Sequence, residues 1–218
     1  MFSQSEENYL KAIFSLETEL KESINTNLIA EIMKTKASSV TDMIKKLAQK
    51  DLVVYEKYKG VNLSAKGKKV ALSTIRKHRL WESFLVEKLN FNWDEVHDIA
   101  EQLEHVKSEE LVDRLDEYLD FPKHDPHGDP IPDKFGNINF HQNDMLSNFE
   151  LNKECIVVGV KDSSNVFLKF LEKFQISLGS IVTIKSKEAY DSSLSIEIND
   201  KKINISNQIA KNIFIKTN

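Results

Sequence analysis

The apolar period of this chain changes partway along, and that change constrains the fold more than any other feature. Through most of the first 119 residues, apolar side chains recur every three or four positions, the spacing of amphipathic helices. From Cys155 onward they alternate with polar ones, the spacing of half-buried strands. Residues 120–148 follow neither period. They hold all four prolines (Pro122, Pro126, Pro130 and Pro132) and two of the six glycines. Proline fixes φ and lacks a backbone donor, so this segment reads as an ordered loop or linker. A mostly helical first part joined through a loop to a strand-rich last part predicts an α+β chain.

The helical part has an internal order. Residues 5–20 read as a helix striped with Tyr9, Leu10, Ile13, Phe14 and Leu16 and opened by Ser5, Glu6 and Glu7. Residues 28–33 give a short second helix. Ala37, Ser38 and Ser39 open a third, which turns Val40, Met43, Ile44 and Leu47 inward and is capped by its serines. Residues 52–63 read as two β runs around Lys59 and Gly60, a hairpin with a basic tip. Ser64 caps a long helix reaching about Leu89, and further helices follow over 93–107 and 108–119. Three short helices and a hairpin are the order of a winged helix-turn-helix, whose third helix enters the major groove of DNA. The last part has β runs at 155–160, 181–184, 194–198 and 203–205, a brief helix at 165–174, and turns at 178–180 and 199–200. It fits a small barrel.

Taken whole, a formal net charge of −4 over 218 residues argues against a nucleic-acid partner. The sum hides a division. Residues 1–80 carry 15 Lys and Arg against 9 Asp and Glu, a balance of +6, whereas residues 81–218 carry −10. A basic head on an acidic body restores DNA binding to the first part. Ser38, Ser39 and Thr41, at the start of the third helix, are placed for base edges and phosphates. Lys45, Lys46, Lys57 and Lys59 are placed to neutralise phosphates. No apolar run approaches the roughly 18 residues of a membrane span, and the first residues are too polar for a signal peptide. The single Cys155 excludes an intrachain disulfide and a Cys-rich zinc module. A cytoplasmic protein with no membrane contact is expected.

A second chemistry lies in the middle. His97, Glu101, Glu104 and His105 fall at i, i+4, i+7 and i+8, within roughly a 100° arc of one helix. His78 and Glu82 form another i, i+4 pair on the preceding helix. If the two helices pack as antiparallel neighbours, these six residues converge on a divalent metal. Carboxylate and imidazole without thiolate suit Mn²⁺ or Fe²⁺, while Zn²⁺ or Co²⁺ would bind the same atoms. No H-E-x-x-H motif and no nucleophile beside a base is present, so an enzyme is not expected. Trp81 and Trp93 read as core or dimer-interface residues, and His124 and His141 as surface histidines.

Several segments in order resemble the diphtheria toxin repressor and manganese transport regulator family. They are Glu7 to Ile13, Arg76 to Glu82, Val96 to Asp98 with Glu104 to Val106, and His127-Gly128-Asp129-Pro130-Ile131-Pro132. The resemblance covers nearly the whole chain. It implies a winged helix-turn-helix over 1–63, an all-α metal-binding and dimerisation domain over 64–147, and a C-terminal SH3-like domain of the FeoA type over 148–218. It implies a primary metal site of Asn8, Glu101, Glu104 and His105, with His78 in this site or its neighbour. It implies an ancillary site of Glu82, Asp125, His127 and Asp162, and His97 matches an ancillary ligand of the iron-type branch. Iron-type members have Cys where this chain has Glu101, so Glu101 tilts the metal towards Mn²⁺. Lys11 stands where some manganese-type members carry a carboxylate, and Asn8 where they are usually acidic. The implied protein is a homodimeric repressor that reads a palindromic operator in double-stranded DNA and controls metal-uptake genes. The alternatives are a winged-helix regulator gated by a non-metal ligand and a metalloenzyme with an accessory helix-turn-helix.

Overall fold

A computed structural model describes residues 2–20, 24–56, 60–139 and 144–217. The chain divides into two compact units, each taken here by itself. The first comprises Met1–His78, Glu101–Asp113 and Pro132–Asn137. The second comprises Arg79–Ala100, Arg114–Ile131 and Ile138–Asn218.

In the first unit, helix α1 (Gln4–Leu20) begins one residue earlier than its apolar stripe suggests. A reciprocal cap explains this. Ser3 N–H donates to Glu6 Oε2 at 3.1 Å and Glu6 N–H donates to Ser3 Oγ at 3.3 Å, which satisfies two otherwise open donors. Helix α2 (Thr26–Ile32) is capped by Asn25, whose side chain accepts from Asn27 and Leu28 N–H. Helix α3 (Ala37–Gln49) differs from expectation at its start. Its N-cap is Lys36, with no side-chain cap bond, and Ser38 and Ser39 are exposed in the first turn rather than capping it. Strands β1 (Val53–Glu56) and β2 (Gly60–Leu63) pair antiparallel, and Ile24 bridges to Val61 on the other side. Leu10, Ile13, Ile29, Ile44, Leu47 and Leu52 are fully buried and form the centre of this unit. Helix α4 (Ala65–Leu89) starts as expected, with Ser64 Oγ accepting from Gly67 N–H at 3.0 Å. Within this unit Arg76 and Lys77 of α4 pair with Asp113 and Glu109 of α6 (Glu109–Tyr118), at 3.0 and 3.3 Å.

Helix α5 is shorter than its pattern. It spans Val96–Leu103, with a turn over residues 93–95 before it and another over 104–105 after it. Glu104 and His105 therefore sit on the turn that ends the helix.

The second unit is built on an antiparallel sheet of order β3-β8-β4-β5-β6-β7. Its strands are β3 (Asp144–Met145), β4 (Glu154–Val160), β5 (Ile181–Lys187), β6 (Leu194–Ile198), β7 (Lys201–Ile205) and β8 (Ile213–Thr217). Strand β6 shows the alternation plainly: Leu194, Ile196 and Ile198 are buried while Ser195 and Glu197 are not. Asn199 and Asp200 both have positive φ, as a two-residue hairpin turn between β6 and β7 requires. Register shifts at Val157/Gly159 and Ile184/Ser186 bend the sheet. Helices α7 (Asn165–Lys173) and α8 (Asn207–Ala210) complete the unit, and Phe167, Leu168 and Leu171 of α7 join the core over the sheet. Trp93 packs against the same core.

Candidate metal centres and DNA-facing helix

The first unit gathers charged side chains around Glu104, whose carboxylate is fully buried. His78 Nδ1 lies 2.6 Å from Glu104 Oε2. Lys11 Nζ donates to both Glu104 oxygens at 2.8 Å and lies 3.5 Å from Glu101 Oε1. His105 Nε2 is 3.7 Å from Glu104 Oε1, and its Nδ1 is 2.6 Å from Glu7 Oε2. Burial works to raise the pKa of Glu104, but His78 and Lys11 outweigh it and hold the carboxyl below its usual range. A carboxylate beside Nδ1 favours the neutral tautomer protonated there, which leaves the Nε2 lone pair of His105 available. The donors fit a divalent ion. They are carboxylate oxygens and imidazole nitrogens, and the neighbouring Asn8 Oδ1 is buried with no hydrogen-bond partner among the described residues.

Sequence reasoning named Asn8, His78, Glu101, Glu104 and His105 here and missed Glu7 as a member. Its signal was the i, i+4 spacing of Glu7 and Lys11, which puts both on one face of α1.

The second unit holds another cluster. Glu82, Asp125 and His127 are buried and each offers a ligand atom, all within 4.8 Å of one another. His127 Nδ1 is 3.5 Å from Glu82 Oε2, and its Nε2 lies 2.8 Å from the Trp93 carbonyl. Its ring stacks on Trp93 at 6.2 Å between centroids. His97 Nδ1 is 3.4 Å from Glu82 Oε1. Desolvation works to lower the His127 pKa, but Glu82 and Asp125 raise it to about 9. Burial and the charge of Glu82 push Asp125 up, against Arg79 and His127.

The loop that carries Asp125 and His127 is held tightly. Asp125 Oδ1 accepts from His127 and Asp129 N–H at 2.8 and 3.0 Å, and Arg79 donates to the Pro130 carbonyl and pairs with Asp129. Gly128 has φ +88°, and a Cβ on it would sit 2.2 Å from the Val158 carbonyl oxygen. Only glycine lets the loop lie on β4, where Val160 N–H donates to the His127 carbonyl at 2.9 Å. Asp162, expected in this set, is outside it, and its carboxylate accepts from Ser164 N–H at 2.9 Å.

On α3, Ser38, Ser39 and Lys45 are exposed, and Thr41 donates to the Ala37 carbonyl. Lys46 is also exposed but pairs with Glu6 of α1 at 3.0 Å, beside Lys50, which donates to the same oxygen at 2.6 Å. Burial works against the Glu6 charge, yet these lysines and the Ser3 N–H hold its pKa at about 2. Lys57, Lys59 and His141 lie outside the described residues, and His124 is exposed.

Comparison with known proteins agrees with this division of labour. Residues 1–61 match the family described as "Iron dependent repressor, N-terminal DNA binding domain". Residues 64–133 match "Iron dependent repressor, metal binding and dimerisation domain", and residues 145–217 match "FeoA domain". The iron-dependent repressor IdeR of Mycobacterium leprae (strain TN) is 34% identical over 126 residues, 58% of this chain and 54% of that protein. The chain thus spans about half the length of the mycobacterial relatives it matches. The HTH-type transcriptional regulator MntR of Oceanobacillus iheyensis is 35% identical over 125 residues, 57% of this chain and 84% of that protein. A solved structure, a manganese-dependent transcriptional repressor in complex with manganese, superposes with a TM-score of 0.85 at 31% identity, covering 98% of this chain and 100% of that one. From the N-terminal helices to the last strand, the chain belongs to the diphtheria toxin repressor and manganese transport regulator family.

Proposed function

We propose that this chain is a metal-activated transcriptional repressor, acting in the cytoplasm as a homodimer on palindromic operators of metal-uptake genes. The observation that carries the reading is the buried Glu104 carboxylate, ringed by His78, His105 and the α1 side chain of Lys11. In this reading Asn8, Glu101, Glu104 and His105 hold the activating ion, and the 2.6 Å contact to Glu104 supports counting His78 with them. Glu82, His97, Asp125 and His127 form the ancillary set, and Asp162, whose carboxylate accepts from Ser164 N–H, is not counted with them. Mn²⁺ is the favoured ion, Fe²⁺ the second, and Zn²⁺ or Co²⁺ serve as substitutes in vitro. Both clusters offer hard oxygen and imidazole donors, which favours metal over an organic ligand as the signal.

A bound divalent ion supplies positive charge and directed coordination between α1 and residues 101–105. The chain's own residues carry that restraint onward. Glu7 and Asn8 follow Glu6 on α1, and Glu6 is tied to Lys46 of α3 and to Lys50 at its end. Anchoring the start of α1 thereby anchors the helix that presents Ser38, Ser39, Thr41 and Lys45. Two such helices in a dimer meet successive major-groove faces about 34 Å apart. Exposed Leu89, Phe91, Tyr118 and Phe121 in the second unit supply apolar surface for the partner subunit. The division into 1–63, 64–147 and 148–218 assigns DNA binding, metal-dependent dimerisation and the SH3-like module in turn.

The test titrates Mn²⁺, Fe²⁺, Co²⁺ and Zn²⁺ into the full chain, with affinity for a duplex selected from a random-sequence pool as readout. Activation by Mn²⁺ at the lowest free concentration supports the reading. Duplex affinity indifferent to every ion overturns it.

A further inference from the structure

Helix α3 presents a carboxylate on the face that a major groove would meet. Its buried stripe is Val40, Ile44 and Leu47. At roughly 100° per residue, Asp42 stands about 190° from the middle of that stripe, so it points straight outward. Ser38, Lys45 and Gln49 share the outward face and are exposed. Asp42 is the one acidic residue of α3, and its side chain is 80% exposed. Lys45 Nζ lies 3.8 Å from Asp42 Oδ1, beyond hydrogen-bond reach. An exposed pair this loose binds its own members weakly and leaves both ends open to a ligand.

A carboxylate brought among phosphates is repelled unless a donor meets it. In the major groove the donors are the exocyclic amines of cytosine (N4) and adenine (N6). Adenine also presents the N7 acceptor beside its amine, which suits an amide side chain with one donor end and one acceptor end. An ionised Asp only accepts, and that matches cytosine. An ammonium only donates, and that matches O6 and N7 of guanine. Three residues of helix set Asp42 and Lys45 about 4.5 Å apart along its axis. Stacked base pairs follow one another at about 3.4 Å, so the two side chains reach the same base pair or its neighbour. One face of α3 thus carries the complement of a C·G edge.

We infer that Asp42 is a specificity-determining residue, accepting from a cytosine N4 amine in the operator while Lys45 serves the paired guanine. Thymine and guanine place acceptors where cytosine has its amine, and the same carboxylate rejects them. The inference rests on the DNA-binding reading above and adds the base that one position of α3 reads.

The experiment selects duplexes from a random-sequence pool with full-length wild type, Asp42→Ala and Asp42→Asn, each in saturating Mn²⁺. Affinities for the wild-type duplex and its single-base-pair variants follow by fluorescence anisotropy. Wild type is expected to select C·G at one fixed position of the site and to bind the T·A variant there about 10-fold more weakly. Asp42→Ala is expected to lose that preference and keep the others. Asp42→Asn is expected to exchange C·G for A·T there, because its amide fits N6 and N7 together. All three should bind Mn²⁺ alike, since Asp42 lies outside both metal clusters. Variants that select the wild-type sequence unchanged would overturn the inference. A uniform change in affinity for every duplex would do the same, because it marks Asp42 as a partner of Lys45 alone. Wild type that binds every pool member alike, with Mn²⁺ or with chelator, would overturn the DNA-binding reading itself and the inference with it.

Discussion

Oε2 of Glu7 lies 2.6 Å from Nδ1 of His105, so the first helix of the chain holds an imidazole whose other nitrogen faces Glu104. Glu7 acts here through His105, fixing its tautomer and ring orientation. Carboxylates in this role typically contribute about 10–100-fold to metal affinity. Glu7→Gln is expected to weaken Mn²⁺ binding by about that factor in calorimetry while the fold persists. Unchanged affinity would show that the contact serves only to dock α1.

Glu6, the preceding residue, faces α3 instead. Its carboxylate is 1% exposed and accepts from Lys50, with Lys46 alongside. Glu6→Gln leaves Lys46 and Lys50 without their counter-charge and is expected to lower stability by about 1–3 kcal/mol in urea unfolding. Mn²⁺ affinity should stay within a factor of about 3, because Glu6 is not a donor to the metal cluster. The same variant should weaken duplex binding in saturating Mn²⁺, since the tie from α1 to the recognition helix is lost.

Gly128 tests the loop of the second cluster. An alanine there combines an unfavourable φ of +88° with a Cβ 2.2 Å from Val158 O. Gly128→Ala is expected to cost about 2 kcal/mol or more in thermal unfolding. It should also displace His127 and lower Mn²⁺ binding there, with the Glu104 cluster unaffected. Full retention of both properties would mean the loop lies on β4 less tightly than the geometry states.

Cys155 supplies a pH signature. It is fully buried in the sheet core, its Sγ donates to the Val182 carbonyl at 3.4 Å, and burial pushes its thiol up to about 11. The neutral thiol is favoured by folding, so its contribution is intact below the ordinary value of 9 and fades as pH rises from there through 11. Native protein at pH 8 is expected to leave a thiol reagent unreacted until denaturant is added. Rapid native labelling would contradict that burial.

The legible parts of this chain are those written in local patterns. Val40, Ile44 and Leu47 declare α3, and Leu194, Ile196 and Ile198 declare β6, because each helix or strand buries one face. The start of α5 was less legible. Trp93 reads as helical by spacing, yet it packs on the core of the second unit, and residues 93–95 form a turn. Strand β3 is only two residues long, and β8 draws its partners from distant sequence, Ile215 pairing with Asp144 and Ile213 with Val160, so neither is announced by a local period. Helical spacing names His78, Glu82, His97, Glu101, Glu104 and His105, whereas Asn8, Asp125 and His127 come only from the resemblance. Glu7 and His105 lie 98 residues apart in sequence, a pairing no local period reports.

The central claim is that coordination at the Glu104 cluster switches DNA binding. The most direct measurement is fluorescence anisotropy of a Mn²⁺-selected duplex with wild type and with Glu104→Ala, His105→Ala, each with Mn²⁺ and with chelator. The account predicts tight binding only for wild type with Mn²⁺, and weak, salt-sensitive binding in the other three conditions. Equal, tight binding in all four would contradict it.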